Sequence, residues 1–221
     1  MTDTRPASTP KTQTTSGATR SRRGRTALLG IALTAAIAGA TATQALADGS
    51  PDSAPLTCGG QGIDPAAPIH YRTETLIKAP LDTIWNLQTD VERWPTWQKP
   101  VTSNKRLDSG PLQPGSQFRW TTPVPATATT PATTLTITST VQQIEPQRCI
   151  RWSGPAIGDG IGIDNGIHVW TFTPVDGGVL VRTEENWNGA QVEADVATST
   201  QFLGAGLEAW LTDLRAAAEG R

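Results

Sequence analysis

The sequence predicts an α+β fold, in which a curved antiparallel β-sheet wraps around a long C-terminal helix and two short helices follow the first strand. Two patterns carry this prediction. Between residues 101 and 187, six segments alternate polar and apolar residues, which is typical of strands. The segment 202–220 instead places its large apolar residues on one stripe of a helix: Leu203, Leu207, Trp210, Leu211 and Leu214. This stripe must be buried, and the sheet offers the surface to bury it.

The first elements follow from local composition. Residues Ile69–Ala79 have the β-branched and aromatic content of a strand, which Pro80 cannot continue. Pro80 suits the start of a helix, and Ile84 and Leu87 follow at helical spacing. Pro95 then ends this helical segment, because it cannot extend the hydrogen-bond ladder.

Two stretches of the chain have the composition of loops. Residues 121–134, TTPVPATATTPATT, are almost wholly threonine, proline and alanine, and we expect a long hairpin loop there. Residues 154–166, GPAIGDGIGIDNG, are rich in glycine but precede a strand rather than opening a helix. They do not indicate a phosphate-binding turn, and we expect a mobile loop at the mouth of a pocket.

The first 47 residues have the layout of an export signal. Four arginines, at positions 20, 22, 23 and 25, precede the apolar run 27–40, and the small residues Ala45–Ala47 then offer a cleavage site. The pair Arg22-Arg23 resembles a twin-arginine signal, although Arg25 and Thr26 stand where that signal has apolar residues. We therefore expect a secreted or cell-envelope protein, with the general secretory and twin-arginine routes both open. An uncleaved membrane anchor is the alternative, but the run is shorter than the ~20 residues of a typical span.

Residues 48–68 predict a flexible linker or arm, because glycine, proline and small polar residues leave little to bury. The remaining residues, 69–221, are enough for one hydrophobic core, and we place a single ligand-binding domain there. The only two cysteines are Cys58 in the arm and Cys149 in the domain. Outside the cytoplasm they can form a disulfide that stabilises the fold by up to ~4 kcal/mol; two free thiols are the alternative.

Charge and motifs exclude several functional classes. The net charge of −2 gives no basic surface for nucleic acid or for an anionic membrane. His70 and His168 are the only histidines, and the two cysteines are far apart, so the sequence predicts no metal site. A Gly-x-Ser-x-Gly motif is absent, so serine-triad chemistry has no support.

The hairpin 166–187 is the most informative segment of the sequence. A two-residue turn at Asp176-Gly177 places His168 opposite Glu185 on the same face as Trp170. The opposite face of this hairpin is more polar and suits solvent, so the aromatic face is predicted to point inward. A glutamate on an inward face needs a hydrogen bond, which His168 can supply. The pair is therefore a candidate polar anchor or acid/base pair, or else a structural pair that holds two strands in register.

These segments resemble the START-like, helix-grip superfamily called SRPBCC, especially its polyketide cyclase/dehydrase and lipid-transport branch. The resemblance rests on residues 77–97, residues 167–189 and the last helix, and it spans Ile69–Glu219. It implies a hollow between sheet and helix that binds apolar or aromatic small molecules, usually without a tightly held cofactor. It also implies that Phe118, Trp120 and Trp152 point inward, while Cys149 points outward toward the arm.

Tryptophan is unusually frequent: the chain has eight tryptophans and three phenylalanines, whereas an ordinary core uses more leucine, isoleucine and phenylalanine. We interpret part of this set as the lining of a cavity for a planar or cyclic ligand. The predicted ligand-binding residues are Trp97, Phe118, Trp120, Trp152, Trp170, Phe172 and Trp187. We assign Trp85 and Trp210 to the core.

Three hypotheses about function follow. The first is an exported protein that binds an apolar, aromatic, polyketide-like or lipid-like molecule, with His168 and Glu185 as polar contacts. The second is an enzyme similar to polyketide cyclases or dehydratases, in which His168 and Glu185 act as acid and base. The third is a secreted domain with a filled core that acts through its surface. The sequence indicates neither the identity of a ligand nor an oligomeric state.

Overall fold

The computed structural model describes residues 54–126 and 131–220. Their strands are β1 (Ile69–Ile77), β2 (Ser103–Arg106), β3 (Gln117–Val124), β4 (Thr133–Glu145), β5 (Cys149–Gly158), β6 (Ile161–Val175) and β7 (Gly178–Asn188). Their helices are α1 (Leu81–Thr89), a 3₁₀ helix (Val91–Thr96), α2 (Ala190–Glu193) and α3 (Val196–Glu219). The strands form one antiparallel sheet in the order β1-β7-β6-β5-β4-β3-β2. The predicted α+β fold class and order of elements are confirmed.

The long helix α3 provides the second layer of the fold. Asp195 caps its first turn by accepting a hydrogen bond from the Thr198 backbone, and Gly220 ends it in the left-handed conformation. All five residues of the predicted apolar stripe are buried. They divide between two apolar clusters against the sheet, one near Trp210 and the other near Leu203. The periodicity of this segment therefore predicted both the helix and its buried face.

The β6–β7 hairpin has the predicted register. Val175 pairs with Gly178 across the two-residue turn, and the same register places His168 opposite Glu185 and Trp170 opposite Thr183. In this hairpin, loop length fixes register, so the Asp-Gly signal was sufficient to align the two strands.

Between β5 and β6 the structure differs from the prediction. The glycine-rich segment 154–166 is not a loop: it forms the ends of both strands around a short turn. Gly154 starts a register shift in this pairing, and a Cβ atom there would lie 1.9 Å from the Thr138 backbone oxygen. The glycines therefore permit close strand packing and a bulge, which bends the sheet. β3 and β4 likewise extend into the predicted loop 121–134, as far as Val124 and Thr133.

The described part of the predicted arm, residues 54–68, is packed against the outer face of the sheet. A disulfide joins Cys58 to Cys149. The backbone N–H of Leu56 donates to the Glu184 carboxylate at 2.8 Å, and that of Asp64 donates to the Asn186 side-chain oxygen at 2.9 Å. Leu56 and Cys58 are buried in a small apolar cluster with Val169. This stretch is therefore held on the sheet by one disulfide, by two backbone hydrogen bonds to β7 and by its buried apolar residues.

The arm also covers part of the outer face of the β6–β7 hairpin. We expected Glu184 and Asn186 to face solvent, but both are buried beneath the arm. The strand pattern placed them on the correct face, whereas the cover comes from arm residues that lie 122 and 128 positions earlier in the sequence.

The predicted export signal, residues 1–47, lies outside the described residues. Within the described ranges, no helix combines the length and apolar character needed to cross a membrane.

Candidate functional site

His168 and Glu185 are in direct contact on the inner face of the sheet. The His168 Nδ1 atom lies 3.1 Å from the Glu185 Oε2 atom. His168 is almost fully buried, whereas the Glu185 side chain keeps 17% of its surface exposed. Glu185 is thus the solvent-accessible end of the pair.

Two further side chains complete a hydrogen-bonded chain. The Thr183 hydroxyl lies 2.6 Å from His168 Nε2, and the Trp187 indole N–H donates to Glu185 Oε1 at 2.8 Å. Thr183, His168 and Glu185 therefore form a hydroxyl–imidazole–carboxyl series, with Thr183 fully buried. Sequence reasoning missed the role of Thr183. The signal was available, because the hairpin register places this hydroxyl on the inner face two residues from Glu185.

Burial changes the protonation of this series. It lowers the pKa of His168 to about 3, and the imidazole is therefore neutral at pH 7. Burial also raises the pKa of Glu185 to about 7, against the opposing effect of the hydrogen bond from Trp187. Near neutral pH, Glu185 is balanced between its protonated and ionised forms.

Both forms of Glu185 satisfy the imidazole. When Glu185 is ionised, His168 Nδ1–H donates to the carboxylate and the Thr183 hydroxyl donates to Nε2. When Glu185 is protonated, its O–H donates to Nδ1, and Nε2–H donates to the Thr183 oxygen. Glu185 can therefore take up or release a proton near neutral pH without leaving a polar atom of His168 unpaired.

Tryptophan side chains surround the imidazole. The ring centroids of Trp152 and Trp170 each lie 5.0 Å from that of His168, and the Trp210 ring of α3 lies at 6.1 Å. Trp210, which we assigned to the core, is thus also the contact of α3 with the polar series. These rings exclude water from His168 and account for its lowered pKa.

The predicted ligand-binding residues do not all lie together. Six of them belong to the apolar cluster around Trp210: Trp97, Phe118, Trp120, Trp152, Trp170 and Phe172. Trp187 belongs to the second cluster, with Leu203 and Leu207. The polar series has partners on both sides, because His168 contacts the Trp210 ring and Glu185 is bonded to Trp187.

Trp94, in the 3₁₀ helix, is a central aromatic residue that sequence reasoning missed. Its ring centroid lies between 4.8 and 5.9 Å from those of Phe118, Trp120, Trp152 and Trp210. Its indole N–H donates to the Gln88 backbone carbonyl at 3.0 Å. The spacing Val91-Trp94 was a weak signal for an inward residue, but the contacts come from several distant elements.

The aromatic rings pack on one another. Phe118, Trp152, Trp170 and Phe172 are buried, whereas Trp97, Trp120 and Trp187 are partly buried. Two clefts lie nearer the surface beside α1. The larger, about 570 Å³, is lined by Trp85, Arg106 and Leu112 among others, and the smaller, about 310 Å³, includes Trp97. Neither cleft reaches His168 or Glu185.

No group of three or more His, Cys, Asp or Glu side chains within residues 54–126 and 131–220 is arranged to hold a metal ion.

Comparison with known families agrees with this architecture. Residues 68–219 match the family described as polyketide cyclase / dehydrase and lipid transport. The chain belongs to this family. Membership in the polyketide cyclase / dehydrase and lipid-transport family indicates a role in hydrophobic small-molecule binding or in cyclase-like chemistry. No curated protein matches the sequence significantly.

Solved structures share the helix-grip fold. A START superfamily protein from Mycobacterium smegmatis is 15% identical, with a TM-score of 0.52 over 68% of this chain and 97% of its own. A protein from Thermus thermophilus is 17% identical, with the same TM-score and coverage. The di-domain ARO/CYC protein StfQ of the steffimycin biosynthetic pathway is 16% identical, with a TM-score of 0.52 over 69% of this chain and 51% of its own. At these identities the likeness establishes the fold alone.

Proposed function

We propose that this protein is an exported binding protein for an apolar or aromatic small molecule, held between the sheet and α3 with His168 and Glu185 as its polar contacts. The observation that carries the proposal is a polar series embedded in a tryptophan-rich interior, with Glu185 still partly exposed. Aromatic walls with a few convergent polar groups are typical of small-molecule sites.

Binding in this interior requires some rings to separate, because they contact each other in the structure. Trp97, Trp120 and Trp187 are the partly buried members of the predicted set and have the most freedom to move. A planar ligand would replace ring–ring contacts with ring–ligand contacts of the same kind, which limits the loss of packing energy.

The N-terminal region supports export. Basic residues, a short apolar run and Ala45–Ala47 stand in the order of a cleavable signal, and the Cys58–Cys149 disulfide suits a compartment outside the cytoplasm. The intact mass of the protein recovered from the culture medium or periplasm of an expressing bacterium tests export and signal cleavage. We expect a chain that begins at Asp48. A full-length chain held in the membrane fraction would contradict export with cleavage.

A second candidate function is cyclase- or dehydratase-like catalysis. The specific observation in its favour is the raised pKa of Glu185, because a group that titrates near pH 7 is suited to proton transfer. In this function Glu185 exchanges the proton with the substrate, and His168 orients the carboxyl group and stays neutral. His168→Ala would then abolish turnover more strongly than it weakens binding.

A titration with the apolar fluorophore N-phenyl-naphthylamine tests the proposed binding. We expect saturable energy transfer from tryptophan to the probe, with weaker binding in His168→Ala and Glu185→Gln. Glu145→Gln makes the same chemical change at a partly exposed position away from the polar series and should bind like the wild type. Absence of saturable binding by folded wild-type protein, here and across a panel of aromatic and lipid ligands, would contradict the proposal and favour a filled structural core.

A further inference from the structure

The larger of the two clefts beside α1, which we call the α1 cleft, is a concave site outside the interior. Its volume of about 570 Å³ lies within the range of small-molecule sites. Its walls come from α1, from the loop between β2 and β3, and from the end of β4 with the turn that follows. His168 and Glu185 are not part of its lining, so the cleft is separate from the polar series.

Hydrogen bonds hold the walls of the α1 cleft in place. The Gln147 side-chain amide donates to the Asp82 carboxylate and so ties the β4–β5 turn to the start of α1. Arg106 Nε donates to Asp108 Oδ1 at 2.8 Å, and Arg106 Nη1 donates to the Gly110 carbonyl at 3.2 Å, which braces the β2–β3 loop. The cleft is therefore formed before a ligand arrives, which lowers the ordering cost of binding.

The lining of the α1 cleft carries one uncompensated negative charge. Among the described residues that line it, only Arg106 and Asp90 are charged, and Arg106 forms an ion pair with Asp108 at 2.8 Å. The Asp90 carboxylate has no ion pair or side-chain hydrogen bond within the part of the chain that the structure describes. Arg93 borders the smaller cleft together with Asp90, but the two side chains are not within ion-pair distance of each other. A cation in the α1 cleft would balance this charge.

The end of α1 strengthens the negative potential of the cleft. Asp90 is the C-cap of this helix, and the last turn of the helix contains no basic residue. The C-terminus of a helix carries a partial negative charge, so a cation is favoured beside it. Trp85, Leu112 and Ile144 belong to the apolar part of the lining, which can cover a hydrocarbon or aromatic body. The indole ring adds to the preference for a positive charge, since tryptophan attracts cations through its π face.

We propose that the α1 cleft binds an organic cation, namely a protonated amine with an apolar body, whose charge is balanced by Asp90. The Asn86 side chain lies one helical turn before Asp90 and lines the same cleft, so its oxygen can accept a further hydrogen bond from the ammonium group. This inference goes beyond the proposed function, because the site uses neither the aromatic interior nor the polar series.

A matched pair of probes tests the inference. Phenylbutylamine and phenylbutanol have the same apolar body and end in an ammonium or a hydroxyl group. By isothermal titration calorimetry at low salt, we expect the wild type to bind the amine about fivefold more tightly, the upper end of what an exposed charge pair contributes. Asp90→Asn should bring this ratio near one, because it removes the charge and keeps the shape of the side chain. Asp159→Asn makes the same change at the exposed β5–β6 turn and should keep the wild-type ratio.

Chemical-shift mapping by NMR locates the bound amine. We expect shifts at Asn86, Thr89 and Leu112; shifts confined to interior residues such as His168 would overturn the inference. Equal affinity of the wild type for the two probes, or an unchanged ratio in Asp90→Asn, would also overturn it. An equal loss in Asp159→Asn would do so as well, because it would show an effect of net charge alone. Binding of neither probe would overturn this site and leave the interior binding of N-phenyl-naphthylamine unaffected.

Discussion

Replacing Glu185 by glutamine should make stability less sensitive to alkaline pH. Burial raises the pKa of Glu185 from 4.5 to about 7, so the folded protein holds this proton more tightly than the unfolded chain does. The stabilisation from this proton is complete below pH 4.5 and is lost as the pH rises through 7. Glutamine resembles the protonated carboxyl: it can accept from Trp187 and donate to His168, and it does not ionise.

The size of the effect follows from the change in pKa. A rise from 4.5 to about 7 corresponds to about 3 kcal/mol of unfolding free energy. His168 acts in the opposite direction: its pKa is lowered, so its contribution to stability is lost as the pH falls from 6.5 toward 3. Both proteins keep His168, so that contribution cancels to first order when the variant is compared with the wild type.

The assay is urea unfolding of the wild type and Glu185→Gln at pH 4.5, 6 and 8, with the disulfide intact. As the pH rises from 4.5 to 8, we expect the free energy of unfolding of the variant to increase by about 3 kcal/mol relative to that of the wild type. Glu145→Gln makes the same change at a partly exposed position, where Glu145 pairs with Arg148, and its free energy of unfolding should differ from that of the wild type by less than about 1 kcal/mol throughout. A constant difference between Glu185→Gln and the wild type across this range would refute the account of Glu185 as a partly buried carboxyl whose pKa is raised to about 7.

Two further predictions concern the scaffold. Reduction of the Cys58–Cys149 disulfide, which closes a separation of 91 residues, should lower the free energy of unfolding by about 4 kcal/mol; an unchanged urea midpoint under reductant would contradict this. Gly206→Ala faces open space in α3 and should stabilise the protein by up to about 1 kcal/mol. Gly204→Ala places a Cβ atom 2.8 Å from the Tyr71 ring and should destabilise it by about 1–3 kcal/mol. The thermal unfolding midpoints of these two variants should therefore shift in opposite directions. Shifts in the same direction would contradict the packing of α3 on β1.

Features set by local sequence were the predictable ones. The Asp-Gly turn fixed the alignment of β6 and β7 and hence the contact between His168 and Glu185, since no other element is needed to define that register. The apolar stripe of α3 was equally clear, because helical periodicity is a property of one continuous segment. Both predictions needed only neighbouring residues in the chain.

Features that depend on distant segments were not predictable in the same way. Burial of Glu184 requires residues 54–68 to be tied across the outer face by a disulfide, which no strand pattern encodes. The packing of Trp94 against rings from several elements depends on the exact separation of those elements. The sequence indicated which aromatic residues point inward, but whether inward rings enclose a space or fill it depends on distances that periodicity does not determine.

Native mass spectrometry of the full chain, purified from the producing host without added ligand, tests the central claim most directly. We expect a second charge-state series with a small molecule bound, and denaturation and extraction should release an apolar or aromatic compound. Glu185→Gln and His168→Ala should carry less of it than Glu145→Gln. Two results together would contradict ligand binding: the wild type shows a single unliganded species, and none of the aromatic compounds or lipids then added produces a bound series or a thermal shift. His168 and Glu185 would then be a structural pair.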